Sequence, residues 1–329
     1  MIEPQIRGQK IVSIYFGGGT PALIGPEAIA TILSWIPNRL HDIEITLEAN
    51  PENVTIDLMK AYAAAGINRV SIGVQTLDDT LLLKLNRTHN ADKAQEAIHS
   101  TFEAGITNIS ADLMYDLPTQ NLTIWESTLK SVKDLPLTHI SLYNLTIEPN
   151  TTFFKYKKTI ETQMPDGEMS LSMYQMARDH LTKAGFHQYE ISAFAKENRH
   201  SNHNIGYWIG RPFLGLGPSA FSYWEGRRFR NVANLQQYSE MLFQGQLPID
   251  FEEELSPDKK VRELLAVNLR LMHGVDLEQF QVQHGALNEE IKNTLRECCD
   301  EGYLSWSESV IKLTERGVLF YDSVASELV

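Results

Sequence analysis

Short apolar runs alternate with amphipathic segments from residue 11 to about residue 195. The apolar runs predict strands at 11–16, 43–49, 69–75, 108–115, 139–147 and 188–195. The amphipathic segments predict helices at 26–36, 55–65, 91–104, 121–133 and 166–184. Strand, helix and strand at this spacing predict right-handed βαβ units and a parallel sheet, either open or closed into part of a barrel.

Polar residues follow or end the predicted strands, where parallel α/β folds place their ligand sites. They are Thr20, Glu48, Gln75, Asp112 and Glu148. A single residue of this kind is explained by a turn or a helix cap, but burying an unpaired carboxylate is costly. Five in succession favour the rim of a binding site at the carboxyl ends of the strands.

The remainder of the chain follows a different pattern. Residues 196–255 have no clear periodicity and are rich in Arg, Asn, Gly and aromatic residues, so we expect an irregular connecting region. From residue 256, three predicted helices precede a short alternating hairpin, as in a winged-helix domain. We therefore divide the chain into residues 1–195, 196–255 and 256–329.

Composition limits the partners of this chain. Its 329 residues carry a formal net charge of −13. Residues 256–329 contain 8 basic and 13 acidic residues, a net charge of 8 − 13 = −5, which argues against DNA binding by the predicted wing domain. The sequence has no apolar run long enough to span a membrane and no signal peptide. The only cysteines, Cys298 and Cys299, are adjacent and form neither a disulfide framework nor a zinc motif, so we expect a cytoplasmic protein.

The stretch "IYFGGGTP" at 14–21 predicts a close approach of a ligand to the backbone, because glycine has no side chain in the way. A tight turn is the alternative. The chain also contains, in order, "ITLEANPENV", "AGINRVSIGVQT", "LNRTHNADKA", "ISADLMYDLPTQ", "HISLYNLTIEPNT", "YEISAFAK" and "NHNIGYW". With these motifs it resembles the coproporphyrinogen III oxidase-like branch of the radical S-adenosylmethionine (SAM) enzymes, and within it the HemW-type haem chaperones.

The resemblance implies an α/β fold: a partial (β/α)6 TIM-like barrel without its first βα unit, followed by a winged-helix-like C-terminal domain. It also implies a SAM pocket. Backbone carbonyls of the loop would hold the SAM ammonium group, and the loop residues concerned are Gly17, Gly18, Gly19 and Thr20. Carboxylate, amide and guanidinium groups suit the rest of SAM, and by similarity these come from Glu48, Gln75, Arg87 and Asp112.

The stretch "RHSNHNIGYWIGR" at 199–211 resembles the HNxxYW motif that the chaperone branch associates with haem. The matching residue is His203, whose imidazole would ligate haem iron, while Tyr207 and Trp208 would stack on the macrocycle. His200 is a second candidate. The alternative is a loop histidine bonded to the backbone beside two core aromatic residues.

Three arginines in "EGRRFRN" are typical of a solvated hairpin tip: Arg227, Arg228 and Arg230. The alternative is that they bind haem propionates, since guanidinium groups pair well with carboxylates.

The resemblance implies a haem chaperone that binds haem and delivers it to haem-requiring proteins such as respiratory enzymes. The alternative is an oxygen-independent coproporphyrinogen III oxidase, which decarboxylates propionates in porphyrin biosynthesis. Members of the family hold a [4Fe–4S] cluster with a C-x3-C-x2-C loop, and this sequence has no such loop. We therefore expect no radical SAM chemistry from this chain alone. We also expect Met1 to be an internal position of a longer protein, with natural loss of the cluster loop as the alternative.

Overall fold

The structure, a computed structural model, describes residues 8–36, 39–149 and 151–329. They form two compact units, residues 10–203 and residues 204–329, and residues 8–9 belong to the second unit. The division of the chain at residues 195 and 255 stays a prediction.

The unit of residues 10–203 is built on one curled, seven-stranded sheet. Its strands are β1 (Ile11–Phe16), β2 (Arg39–Ala49), β3 (Arg69–Gln75), β4 (Asn108–Tyr115), β5 (His139–Asn144), β6 (His187–Glu190) and β7 (Ala193–Ala195). The spatial order is β1-β2-β3-β4-β5-β7-β6. The first five strands are parallel, which confirms the predicted α/β partial barrel.

Helices connect the strands of this sheet. They are α1 (Pro26–Ser34), α2 (Ile56–Ala65), α3 (Asp79–Lys84), α4 (Ala91–Glu103), α5 (Leu122–Lys133), α6 (Thr152–Lys155), α7 (Lys157–Glu161) and α8 (Gly167–Lys183). A further helix, α9 (Asn202–Trp208), follows the last strand of the sheet. Their ends follow the sequence: the Asn90 side chain accepts a hydrogen bond from the Lys93 N–H, and Gly66 ends α2 in the left-handed conformation.

The two faces of the sheet differ sharply. The outer face is apolar and packs under the helices, with Leu47, Val70 and Ile72 all fully buried against residues such as Ile29 and Met59. The inner face is polar, because successive side chains of a strand point to opposite faces. β1 lies at the edge of the sheet, and its six residues are all only partly buried.

The predicted strand at 188–195 is a hairpin of β6 and β7. β7 runs antiparallel to β5, with His139 opposite Ala195, so the sheet is not wholly parallel. No Gly or Pro marks the turn between Glu190 and Ala193, which is why the sequence reads as one strand.

In the unit of residues 204–329, the segment predicted to be irregular contains β8 (Phe221–Trp224), β9 (Arg227–Asn231), α10 (Leu235–Phe243) and β10 (Ile249–Glu254). The three strands form an antiparallel sheet in the order β10-β9-β8. Arginines of β9 face carboxylates of β10, so charge pairing replaces the apolar alternation that would have signalled strands.

The C-terminal part of this unit follows the predicted pattern of three helices and a hairpin, and two short helices end the chain. Its elements are α11 (Pro257–Asn268), β11 (Val275–Asp276), α12 (Leu277–His284), α13 (Glu289–Asp300), β12 (Leu304–Ser307), β13 (Val310–Leu313), α14 (Glu315–Leu319) and α15 (Tyr321–Leu328). β12 and β13 form the hairpin, and β11 adds a third strand. In the part of the chain that the structure describes, no helix combines the length and apolar character needed to cross a membrane.

Candidate functional site

The inner face of the curled sheet is lined by polar side chains that lie opposite one another on neighbouring strands. Ser13 lies opposite Glu44, Glu48 opposite Ser71, and Asp112 opposite Ser141. The face is predominantly acidic. Its charged members are Glu44, Glu48, Arg69, Asp112 and Glu190. A surface of this kind cannot serve as an apolar core and is suited to a polar, cationic ligand.

The glycine loop after β1 packs against this face through Glu48. The Oε1 of Glu48 accepts a hydrogen bond of 2.9 Å from the Tyr15 hydroxyl, and its Oε2 accepts one of 3.1 Å from the Gly18 N–H. A Cβ at Gly17 would lie 2.8 Å from Cε1 of Tyr15 and 3.2 Å from Cδ of Glu48. Only glycine fits at residue 17, because the loop backbone approaches both side chains.

The next two glycines serve a different need. Gly18 and Gly19 have φ values of +78° and +57°, and no atom lies within 4 Å of the position of a Cβ at either residue. Glycine is required here by backbone conformation, and the space beside the loop is open. Thr20 follows, and its hydroxyl accepts a hydrogen bond of 3.3 Å from Nδ2 of Asn50.

Gln75 ends β3 in a left-handed conformation, with φ of +66°. The position of a Cβ at Gly73 lies 3.0 Å from Nε2 of Gln75 and 3.5 Å from the side-chain Oδ1 of Asn50. Thr20 and Gln75 therefore lie around Asn50, beside the ends of β2 and β3.

Asp112 lies in the middle of the inner face. Its Oδ1 accepts a hydrogen bond of 3.2 Å from the Ser71 hydroxyl, and Ser141 supplies a second hydrogen bond. Burial raises the pKa of Asp112 to about 6; the charge of Glu48 adds to this rise, while these hydrogen bonds and the Arg69 guanidinium oppose it. Asp112 therefore changes charge close to neutral pH.

Two predicted site residues are not joined to this group. Glu148 is exposed beyond the end of β5. Within the described residues, no hydrogen bond or ion pair links the Arg87 guanidinium to Glu48 or Asp112. The loop that carries Arg87 is nevertheless anchored, because the Thr88 hydroxyl donates to Glu52 at 2.9 Å.

His203 lies against β1 and β2. Its Nδ1 is 3.1 Å from the Ser13 hydroxyl, and its ring stacks on the Tyr15 ring with centroids 4.8 Å apart and planes inclined by 25°. The buried Glu44 carboxylate accepts hydrogen bonds from the backbone N–H groups of Asn202 and His203, at 2.9 and 3.0 Å. These contacts fix both the backbone and the ring of His203.

The second histidine of the motif, His200, stacks on Tyr189 with ring centroids 4.3 Å apart. The Tyr189 hydroxyl accepts a hydrogen bond of 3.2 Å from the Ser201 N–H and lies 2.9 Å from Nε2 of His139. Burial, with a smaller effect of Arg69, holds the pKa of His139 well below its usual value, so this histidine is neutral. His200 therefore lies beside a buried polar network.

Tyr207 and Trp208 lie in the unit of residues 204–329. They line a pocket of about 220 Å³ together with Phe213, Phe221 and Tyr223. The Arg270 guanidinium lies 4.2 Å from the centroid of the Trp208 ring. Both aromatic residues of the motif therefore border open space and are not enclosed in a core.

The arginines proposed for propionates lie in β9 and not at a hairpin tip. Arg227 pairs with Glu252 at 2.7 Å, and Arg230 pairs with Asp250 at 3.0 Å. Arg228 pairs with Glu253 at 2.6 Å and with Glu263 at 2.7 Å. Because carboxylates of the same unit occupy these guanidinium groups, they are poor candidates for binding propionates.

Comparisons with known proteins agree with this arrangement. A model of the radical SAM superfamily matches residues 2–132, and a model of the HemN C-terminal domain matches residues 255–320. The haem chaperone HemW of Bacillus subtilis is 32% identical over 317 residues, which cover 95% of this chain and 84% of that protein. The HemW of Escherichia coli is 32% identical over 324 residues, 97% of this chain and 84% of its own length. The chain belongs to the HemW family.

Solved structures place this member of the HemW family in the expected fold. Coproporphyrinogen III oxidase (HemN) from Escherichia coli, a radical SAM enzyme, superimposes with a TM-score of 0.84 at 22% identity. The match covers 98% of this chain and 78% of that one. It confirms the barrel with its C-terminal domain.

Membership of the radical SAM superfamily implies SAM and a [4Fe–4S] cluster. The loop of Gly17 to Gly19, the open space beside it and the acidic inner face fit SAM. The cysteines do not fit a cluster: Cys298 is buried in α13, burial raises its pKa to about 11, and Cys299 is next to it on the same helix. No group of three side chains suited to a metal ion lies among the described residues.

Several residues of the site were not predicted from the sequence. They are Ser13, Tyr15, Glu44, Arg69, His139 and Tyr189. All but Tyr189 stand at alternate positions of predicted strands, as in "VSIYF" and "IEITLE". The period-two pattern of these strands was the available signal for a polar inner face.

Proposed function

We propose that this chain is a haem chaperone, which binds SAM at the glycine loop and haem through His203 and delivers the haem to haem-requiring proteins in the cytoplasm. The observation that carries the proposal is the level of identity, 32–33% over nearly the whole chain, with relatives named haem chaperone HemW. The oxidase alternative rests on a likeness of fold at 22% identity, which supports the fold alone.

The geometry supports a SAM site. SAM carries a sulfonium, an ammonium and a carboxylate group. Carbonyls of Gly17 to Thr20 are suited to the ammonium, and the carboxylates of Glu48 and Asp112 attract a cationic ligand. Gln75 lies at the same rim, and the anchored loop of Arg87 would supply a guanidinium for the SAM carboxylate.

The surroundings of His203 support a haem ligand. A histidine that ligates iron is usually fixed by contacts of its other ring nitrogen. Here Nδ1 contacts Ser13, the ring lies on Tyr15, and Glu44 holds the backbone. The proposed function involves no redox step, because the two cysteines of this chain do not fit a cluster.

The test is a haem-transfer experiment. The chain is loaded with haem and mixed with a haem-free respiratory haem protein, and the absorbance spectra of donor and acceptor are followed separately after rapid fractionation. The proposal predicts haem binding at a 1:1 ratio followed by transfer to the acceptor. Failure to bind haem, or tighter binding of coproporphyrinogen than of haem, would contradict the chaperone proposal.

A further inference from the structure

Tyr15 lies between the two proposed binding positions. On one side Tyr15 contacts the glycine loop and Glu48. Its hydroxyl donates to Glu48 at 2.9 Å, and a Cβ added at Gly17 would lie 2.8 Å from Cε1 of the Tyr15 ring. The face of the Tyr15 ring contacts the proposed haem ligand, because the His203 ring stacks on it with centroids 4.8 Å apart. The contacts of Gly18, Glu48, Tyr15 and His203 form one continuous path.

Two side chains of this path, Glu48 and His203, are each held by several contacts. Glu48 is held from two sides, by the Tyr15 hydroxyl and by the Gly18 N–H. His203 is held through its backbone by Glu44 and through its ring by Ser13. A movement of the loop or of Glu48 therefore reaches His203 through the Tyr15 ring, since packed side chains transmit displacement.

The protonation state of Tyr15 is constant over the working range of pH. Burial, together with the negative charge of Glu48, holds the pKa of the Tyr15 hydroxyl far above its usual value. The hydroxyl therefore remains a hydrogen-bond donor to Glu48. A ligand that binds the Glu48 carboxylate therefore competes with the hydrogen bond from the Tyr15 hydroxyl or reorients it.

We propose that Tyr15 is a positioning residue that couples the two sites, so that a ligand at the glycine loop and Glu48 changes the affinity of His203 for haem, and haem changes the affinity of the loop by the same factor. This inference rests on the proposed function. The reciprocity follows from thermodynamic linkage. We expect the coupling to be about 5-fold or more in affinity, at the lower end of the usual range.

The experiment is a set of haem titrations, followed by absorbance, with and without saturating SAM. They are done on the wild type, on Tyr15→Phe, on Tyr15→Leu and on Tyr156→Phe, a control at an exposed tyrosine outside the sheet. Tyr15→Phe keeps the stacked ring and removes the bond to Glu48, so haem binding should persist while the effect of SAM shrinks to within about 2-fold, well below the usual coupling. Tyr15→Leu removes the stack and should also weaken haem binding without SAM.

A second readout needs no haem. The imidazole resonances of His203, assigned by their loss in His203→Ala, should shift when SAM is added to the wild type and stay unchanged in Tyr15→Phe. If the wild type binds both ligands with independent affinities, or if Tyr15→Phe retains full coupling, the inference is wrong although the proposed function stands. If the wild type binds no haem, the proposed function fails and the coupling fails with it.

Discussion

The carboxylate of Glu44 accepts a hydrogen bond of 3.0 Å from the backbone N–H of His203, although 159 positions separate the two residues in the sequence. The same carboxylate accepts a hydrogen bond from the Asn202 N–H, and its side chain is almost fully buried. A buried carboxylate of this kind is stable because backbone N–H groups satisfy it. The contact fixes the start of α9, and with it the histidine proposed to bind haem.

Glu44→Gln should destabilise the protein and displace His203. The amide presents one oxygen to two N–H donors and brings its own NH2 group close to them, so we expect the free energy of unfolding to fall by about 1–3 kcal/mol. Haem affinity should fall by about tenfold, equivalent to ~1.4 kcal/mol. Urea denaturation and haem titration measure the two effects. Glu103→Gln, at an exposed position of α4, is the control and should change neither.

Binding of SAM should depend on pH through Asp112. Its pKa of about 6 means that the carboxyl group is largely neutral at about pH 5 and charged at about pH 7.5. Since a cationic ligand favours the carboxylate, SAM affinity should rise with pH over this range, by up to roughly tenfold. Calorimetric titration at a series of pH values measures it. A flat pH profile in the wild type would contradict the assignment.

The same residue has a predictable effect on stability. Because the pKa of Asp112 is higher in the folded state than in the unfolded state, its favourable contribution is complete below about pH 4 and is lost as pH rises through about 6. Asp112→Asn should therefore be more stable than the wild type at about pH 7.5, by about 1–3 kcal/mol. It should also lose the pH dependence of SAM binding.

The glycine loop allows a comparison of two glycines that differ in their surroundings. Gly17→Ala would force a Cβ against Tyr15 and Glu48, so we expect SAM affinity to fall by at least about tenfold, or ~1.4 kcal/mol. Gly105→Ala is the control: its φ of +92° makes alanine unfavourable, but nothing surrounds its Cβ and it follows α4. It should cost about 1–2 kcal/mol of stability and leave SAM affinity unchanged. Equal affinity losses in the two variants would point to a general loss of folding.

The arginines of β9 should matter for stability and not for haem. Arg228→Gln removes ion pairs with Glu253 and Glu263, both partly exposed, so the loss should be about 0.5–2 kcal/mol and should diminish at high salt. Haem affinity should be unchanged, because these carboxylates already occupy the guanidinium group. A marked loss of haem affinity at constant stability would revive the propionate hypothesis.

Much of the fold could be predicted because local signals agree with it. The strands at 11–16, 69–75 and 108–115 coincide with the observed ones. Gly66 and Gly105 follow their helices with positive φ values, as glycine at such positions commonly does. The hairpin of β6 and β7 was missed because no turn residue marks it. The sheet of β8 to β10 was missed because its strands are stabilised by charge pairs between distant segments.

The site was predicted in part. Gly17 and Glu48 stood out because the motif and the strand end coincide, and the structure joins them through Tyr15. Glu148 did not belong to this group, since being beyond a strand end says nothing about the direction of the side chain. The contact of Glu44 with His203 could not be predicted, because it depends on how the chain after β7 returns to β1 and β2.

Whether His203 binds haem is measured most directly by the absorbance spectrum of haem during titration with the wild type, His203→Ala and His200→Ala. We expect a shifted Soret band with saturation at a 1:1 ratio for the wild type and for His200→Ala. His203→Ala should lose the shift while its urea denaturation curve stays close to that of the wild type. A shift that persists in His203→Ala, or one that disappears only in His200→Ala, would show that His203 is not the haem ligand.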